Sequence, residues 1–141
     1  MAAKKGGILD AFYFSKKTQI YQIYFCVHFN EKSNSDAVAS DILCGGTKKI
    51  LKNGVIDDQG VTFPIILTLW DETEKIIYFG KRTVAGYEFS GHDEISAFRA
   101  RFIGAFELKP GKYHAKVEML KDVSEIDGRY CSLIFKAGHA D

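Results

Sequence analysis

Residues 95–120 read ISAFRARFIGAFELKPGKYHAKVEML, and this stretch is the strongest evidence for the fold class. Apolar residues recur at every second position over residues 98–108, and again over residues 113–119. A period of two is typical of an extended strand with one buried face. The runs are separated by Lys-Pro-Gly-Lys, and a Pro-Gly pair predicts a type II turn with positive φ at Gly111. The stretch therefore predicts two antiparallel strands joined as a tight hairpin.

The alternation also predicts which side chains are buried. On this pattern Phe102 is a core residue, and Phe102→Ala is expected to cost about 3–5 kcal/mol of stability. The side chains expected to be largely buried are Phe98, Phe102, Phe106, Leu108, Tyr113, Val117 and Leu133.

The rest of the chain alternates short strand patterns with turn signals. Ser35 is a candidate N-cap for one short helix that ends near Cys44, with Gly45 as its terminator. Residues 48–60 are predicted to be a loop. Further strands are predicted at residues 12–14, 19–29, 63–70, 75–79, 83–89 and 130–136. About seven to eight strands predict an all-β fold with one short helix, an antiparallel, immunoglobulin-like β-sandwich. A small closed barrel is the alternative.

Length and charge limit the classes of protein to which the chain could belong. The chain has 141 residues, which suits a single domain, predicted here at residues 11–137 after a flexible tail at residues 1–10. Its formal net charge is +1. With so small a net charge, we do not expect the chain to bind nucleic acid or an anionic membrane by electrostatic attraction. Arg99 and Arg101, two apart in one strand, are therefore interpreted as part of a solvated basic face.

The three cysteines leave two interpretations open. Cys26 and Cys131 lie in predicted strands, where they are either small buried apolar residues or partners in a disulfide. Cys44 lies at the end of the predicted helix. No CxxC spacing occurs in the sequence, so neither a zinc site nor a thioredoxin-like redox motif is predicted.

No motif in the sequence predicts catalysis. Ser90, His92 and Asp93 are close in sequence, but catalytic triads are defined by geometry, and no G-x-S-x-G motif is present. The four histidines lack metal-binding spacings. We therefore expect a protein that is not an enzyme, with no cofactor and no metal.

Five acidic residues are the candidate binding residues. Carboxylates at loop tips could bind calcium, but the repeated Asp-x-Asp spacing of calcium-binding loops is missing. They could instead solvate turns, or they could contact a partner by charge complementarity. The five residues are Asp57, Asp58, Asp71, Glu72 and Glu74.

The order of these features resembles a group of bacterial proteins. The run FELKPGKYHAKV at residues 106–117, followed by LKDVSEIDG at residues 120–128, is similar to the C-terminal half of small bacterial β-sandwich proteins of unknown function. Upstream, FNEK at residues 29–32 and GVTFPI at residues 60–65 resemble the same group. Such proteins are often exported or lipid-anchored, and some resemble immunity proteins of toxins delivered by contact-dependent (type VI) secretion systems.

The resemblance implies a non-enzymatic protein-binding module, an immunity-type inhibitor that neutralises a secreted toxin. It implies a periplasmic location, with the signal segment or lipid anchor removed; a cytoplasmic location is the alternative. The alternative function is a small-ligand or glycan-binding module that uses Trp70, Tyr78 and Tyr87 as a stacking platform. The oligomeric state is left open.

Overall fold

The computed structural model describes residues 4–30, 32–45, 60–86, 88–92 and 96–137. These ranges contain eight strands, one α-helix and a short 3-10 helix at Ser124–Ile126. No helix within them is long and apolar enough to span a membrane. The elements are β1 (Ile8–Ser15), β2 (Gln19–Phe29), α1 (Asn34–Cys44), β3 (Phe63–Trp70), β4 (Ile76–Val84), β5 (Phe89–His92), β6 (Ala97–Leu108), β7 (Gly111–Met119) and β8 (Cys131–Ala137).

The strands form two four-stranded antiparallel sheets. The first sheet has the order β1-β7-β3-β4, and the second has the order β5-β6-β2-β8. The predicted all-β sandwich with one short helix is confirmed. These orders differ from the ABED and CFG sheets of immunoglobulin constant domains, so the likeness to immunoglobulins is one of architecture.

The core lies between the two sheets. Alternate residues of β2 and β3 point inward, because successive side chains of a strand point to opposite faces. Each of these inward residues is fully buried: Ile23, Phe25 and Val27 from β2, and Ile65, Leu67 and Leu69 from β3. Val117 and Met119 of β7 and Leu43 of α1 belong to the same cluster.

The Pro-Gly segment joins two sheets rather than two paired strands. β6 pairs with β2 and β5, whereas β7 pairs with β1 and β3. The predicted hairpin is therefore wrong. A chain that crosses from one sheet to the other at a corner can also direct the apolar faces of both strands toward one core. The alternation of apolar residues is therefore the same for a corner as for a hairpin. Gly111 has positive φ, as predicted, but its value of 148° is far from the roughly +80° of a type II turn.

A β-bulge reverses the facing of β6 at its middle. The pairing of β2 with β6 shifts between Ile23, opposite Gly104, and Tyr24, opposite Phe102, so Ile103 is the extra residue. A bulge changes which alternate residues face the core. Leu108 is buried as predicted, and so are Tyr113, Val117 and Leu133 of the following strands, while Phe106 packs against the core.

Before the bulge, the odd-numbered residues of β6 face inward. Phe102 is consequently 37% exposed, so its predicted burial is wrong, while Phe98 is partly buried against the outer face of the second sheet and not in the core between the sheets. Arg101 takes the inward place and is fully buried, where its Nε donates a hydrogen bond to the carbonyl of Gly86 at 2.7 Å. Burial lowers the pKa of Arg101.

Arg99 also faces inward and reaches α1. Its Nε donates to Ser40 Oγ at 3.0 Å, and its guanidinium forms an ion pair with Asp41. The guanidinium also lies over the ring of Phe29, 5.0 Å from its centroid. Arg99 therefore ties the helix to the sandwich while Arg101 lies in its interior, and the expected solvated basic face is wrong.

Several boundaries differ from the sequence prediction. Ser33, not Ser35, is the N-cap of α1, because its Oγ accepts a hydrogen bond from the Asp36 amide, while Gly45 ends the helix with φ of 78° as predicted. The strands predicted at residues 75–79 and 83–89 are replaced by β4 and β5. The predicted tail boundary at residue 11 falls inside β1, and the loop predicted at residues 48–60 lies almost wholly outside the described residues.

All three cysteines are free and buried. Cys26 lies opposite Ser132 and Cys131 lies opposite Val27, so the two thiols point to opposite faces of the second sheet. A disulfide between Cys26 and Cys131 is therefore not formed. Burial raises the pKa of both thiols to about 12.

We predict that the bulge decides which truncation in β6 is costly. Ile103→Ala removes methyl groups from a residue that is 2% exposed, and we expect a loss of about 2–5 kcal/mol. Phe102→Ala removes a ring from the partly exposed outer face and should cost about 1 kcal/mol or less. Urea unfolding of both variants measures the difference. A larger loss for Phe102→Ala would contradict the position of the bulge.

Candidate functional site

Three stacked rings cross the outer face of the first sheet. Phe12 of β1 lies opposite His114 of β7, and His114 lies opposite Trp70 of β3. The ring centroids of Phe12 and His114 are 4.2 Å apart with 10° between planes, and those of His114 and Trp70 are 5.0 Å apart with 22°. We call Phe12, His114 and Trp70 the aromatic row.

The outer face that carries the aromatic row also exposes other apolar side chains. Phe12 is 63% exposed, although burying a ring of this size would be strongly favourable. Apolar side chains grouped on one face mark an interaction site more often than single exposed residues do. The same face also exposes Ile8, Phe14, Ile76 and Phe79.

Charged groups flank the row. Lys112 Nζ lies 5.2 Å from the Phe12 centroid, and Lys116 Nζ lies 5.5 Å from the Trp70 centroid. The negative faces of aromatic rings attract cations at such distances. His114 Nε2 lies 3.3 Å from Asp10 Oδ2. The row is therefore an aromatic surface that already attracts positive charge.

The turn between β3 and β4 contributes three carboxylates. Asp71 Oδ1 accepts hydrogen bonds from the Thr73 hydroxyl at 2.7 Å, the Thr73 amide at 2.9 Å and the Lys75 amide at 3.1 Å. The bond from the Thr73 hydroxyl is the largest cause that lowers the pKa of Asp71. Glu72 and Glu74 are exposed, and Glu74 has the left-handed φ of 63°. Asp71 therefore builds the turn, and the two glutamates project from it.

A groove lies between this turn and the aromatic row. It has a volume of about 440 Å³, within the range of small binding clefts. We call it the acidic groove, and its lining residues are Phe12, Trp70, Asp71, Glu72, Glu74, Lys112, Tyr113 and His114.

The structure brings three of the five predicted acidic residues together. Asp71, Glu72 and Glu74 line the acidic groove, whereas Asp57 and Asp58 lie outside the described residues. In the ranges that the structure describes, no three His, Cys, Asp or Glu side chains are placed to hold a metal ion.

Trp70 and Tyr78, two residues of the predicted stacking platform, do not share a surface. Trp70 is on the outer face of the first sheet, but Tyr78 points inward, where its ring packs 4.9 Å from that of Phe106. Tyr87 lies outside the described residues, as does Asp93. Ser90, from the same short motif as Asp93, accepts a hydrogen bond from Arg99 Nη1 at 3.3 Å.

A second cavity, of about 900 Å³, is lined in part by the buried His28. His28 Nδ1 lies 2.8 Å from Ser96 Oγ, and His28 Nε2 lies 2.9 Å from Ser132 Oγ. At its rim Asp36 forms an ion pair with Arg129 at 2.9 Å. Hydroxyl groups thus satisfy both ring nitrogens, an arrangement that keeps a histidine buried.

Sequence reasoning missed both the His28 cluster and most of the aromatic row. The serines lie 68 and 104 residues from His28, so no short motif connects them. Phe12 and His114 are joined only by the register of β1 with β7. Alternation within each strand places Phe12 and His114 on one face or the other, but it does not say which residues become neighbours.

Comparison with known proteins supports the fold. A family model described as "Domain of unknown function (DUF5625)" matches residues 12–137. A crystal structure of a protein from Sulfurospirillum deleyianum is similar over 96% of this chain and 92% of that chain, with a TM-score of 0.68 and 14% identity. At that identity the likeness shows the fold alone. No curated protein matches the chain significantly.

We predict that Asp71 stabilises the fold in a pH-dependent way. Its pKa in the folded state is below the ordinary value of 3.8, so ionised Asp71 contributes stability above that value. The contribution is lost as pH falls through the lower pKa of the folded state. Asp71→Asn should therefore lower the melting temperature at neutral pH, and the difference from wild type should shrink at strongly acid pH.

Glu72→Gln is the matched control, because Glu72 lies in the same turn and is exposed. It should leave the melting temperature nearly unchanged at either pH. An Asp71→Asn variant as stable as wild type at neutral pH would contradict the role of Asp71 in the turn.

Proposed function

The chain belongs to the DUF5625 family, and on its structure we propose that it is a non-enzymatic protein-binding module, an immunity-type inhibitor that neutralises a secreted toxin. The observation that carries the proposal is the exposed aromatic row with its surrounding apolar side chains on the first sheet. The strands that present it also form the core, so the contact surface is rigid.

The composition of this face suits a protein partner. A few aromatic residues carry most of the binding energy in many interfaces, and charged side chains at the rim speed association. Here Phe12 and Trp70 are the aromatic anchors, while Glu72 and Glu74 stand at the rim. The strained φ of Glu74 supports a role beyond the turn, because glycine would adopt that conformation at lower cost.

The stacking geometry ranks a protein partner above a glycan. Neighbouring rings of the row lie nearly parallel and 4.2 to 5.0 Å apart, so each covers a face of the next. A sugar stacks on an exposed ring face, whereas both faces of His114 are covered by Phe12 and Trp70, and His114 covers one face of each of these two rings. The glycan-binding alternative therefore loses Tyr78, which points into the core, from its predicted stacking platform.

An inhibitor of a secreted toxin would act where the toxin acts or arrives. The proposal therefore includes a periplasmic location. Cell fractionation of the complete gene product tests the location separately from binding.

We predict that the outer face of the first sheet is required for protection against the toxin. The test co-expresses the chain with the product of the neighbouring gene in a bacterial host and measures growth. Wild type should restore growth and form a complex on size-exclusion chromatography. Phe12→Ser combined with Phe79→Ser should weaken the complex at least tenfold, because loss of an interface anchor costs about 2 kcal/mol or more.

Ile20→Ser is the matched control, since Ile20 is 54% exposed but belongs to the second sheet. It should protect cells as wild type does, and equal unfolding midpoints would exclude a folding defect in either variant. Absence of both a complex and protection would overturn the inhibitor proposal. A complex equally strong with the Phe12 and Phe79 variant would overturn the assignment of the face.

A further inference from the structure

We propose that the acidic groove receives an arginine side chain of the protein partner. The inference rests on the proposed function and adds the chemistry that the partner must present. It uses the aromatic lining and the carboxylates together, because either feature alone is common on protein surfaces.

The charge of the groove favours a cation. Its lining holds the three carboxylates of Asp71, Glu72 and Glu74 but one lysine, Lys112. Oδ1 of Asp71 already accepts three hydrogen bonds within its turn, which hold this side chain in place. Glu72 and Glu74 are exposed, and their carboxylates can turn to meet an incoming positive group.

The chain's own lysines show that the rings attract cations. Lys112 and Lys116 extend over Phe12 and Trp70 at 5.2 and 5.5 Å from the ring centroids. Both lysines are attached by long side chains that can move aside at small cost. A partner cation would take the place of Lys112, which lines the same groove.

Arginine suits this groove better than lysine. Its planar guanidinium can lie along an aromatic ring while its N–H groups donate to a carboxylate, which a compact ammonium cannot do equally well. The carboxylate of Glu72 is seated beside Gly111, with Oε1 3.3 Å from the place that a Cβ would occupy. Glycine at residue 111 thus leaves room for the Glu72 carboxylate.

The experiment uses a small probe in place of the unidentified partner. N-acetyl-arginine-N-methylamide is titrated into the intact protein, and the matched citrulline compound serves as the uncharged control of nearly equal shape. The chain has one tryptophan, and Trp70 lines the groove, so its fluorescence and its indole N–H resonance report binding directly. We expect saturable binding of the arginine probe in the range of about 1–10 mM and at least threefold weaker binding of citrulline.

Variants locate the site and test whether its negative charge attracts the probe. Glu72→Gln combined with Glu74→Gln should weaken binding of the arginine probe about threefold to tenfold. Glu118→Gln should not, since Glu118 lies on the same face away from the groove. Lys112→Gln should strengthen binding because it removes the internal competitor, whereas Lys81→Gln on β4 should change it little.

The outcomes separate this inference from the proposed function. Equal affinity for arginine and citrulline, or no response of Trp70, would overturn the arginine site even if the toxin complex forms. Unchanged binding in the Glu72 and Glu74 variant would do the same. Arginine-specific binding without any protein complex would instead support the groove and count against the inhibitor proposal.

Discussion

The bulge between β2 and β6 determines how the interior of the sandwich is filled. It places Ile103 as an extra residue and lets one strand use even positions for the core at one end and odd positions at the other. The odd positions bring Arg101 into the interior and Arg99 against α1. A buried guanidinium is costly unless its N–H groups find acceptors, and the carbonyl of Gly86 provides one. The helix and the two sheets are held together at this end by charge and hydrogen bonding as well as by apolar packing.

The two outer faces of the sandwich differ in how far their aromatic side chains are buried. On the second sheet, Tyr24 and Cys26 are buried, and Phe89 and Phe98 pack beside them. On the first sheet, Phe12 remains exposed and the row has no further layer over it within the described residues. This asymmetry is why we assign binding to the first sheet. The outer face of the second sheet exposes Ile20 and part of Phe102, but most of its aromatic rings pack on one another. On the first sheet, Phe12, Phe14 and Phe79 stay open to a partner.

The sequence predicted the fold class from alternation and turn chemistry, and β2 and β3 have the predicted limits because their patterns are long and their ends are polar. It did not predict that β6 and β7 belong to different sheets, because a corner and a hairpin need the same alternation. It did not predict the bulge either, since the pattern of β6 reads continuously through Ile103. The acidic turn was found from its composition, but its association with Phe12 and His114 depends on long-range register. The pairing between strands that are distant in sequence is therefore what a single sequence did not predict.

Hydroxyl-radical footprinting of the chain, free and in complex with the neighbouring gene product, tests directly whether the first sheet is the binding surface. We predict that Phe12, Trp70 and Phe79 lose reactivity in the complex, while Tyr130, at 66% exposure beside the His28 cavity, keeps it. Protection of Tyr130 with unchanged reactivity of the aromatic row would contradict this assignment, because the binding surface would then lie at the other cavity.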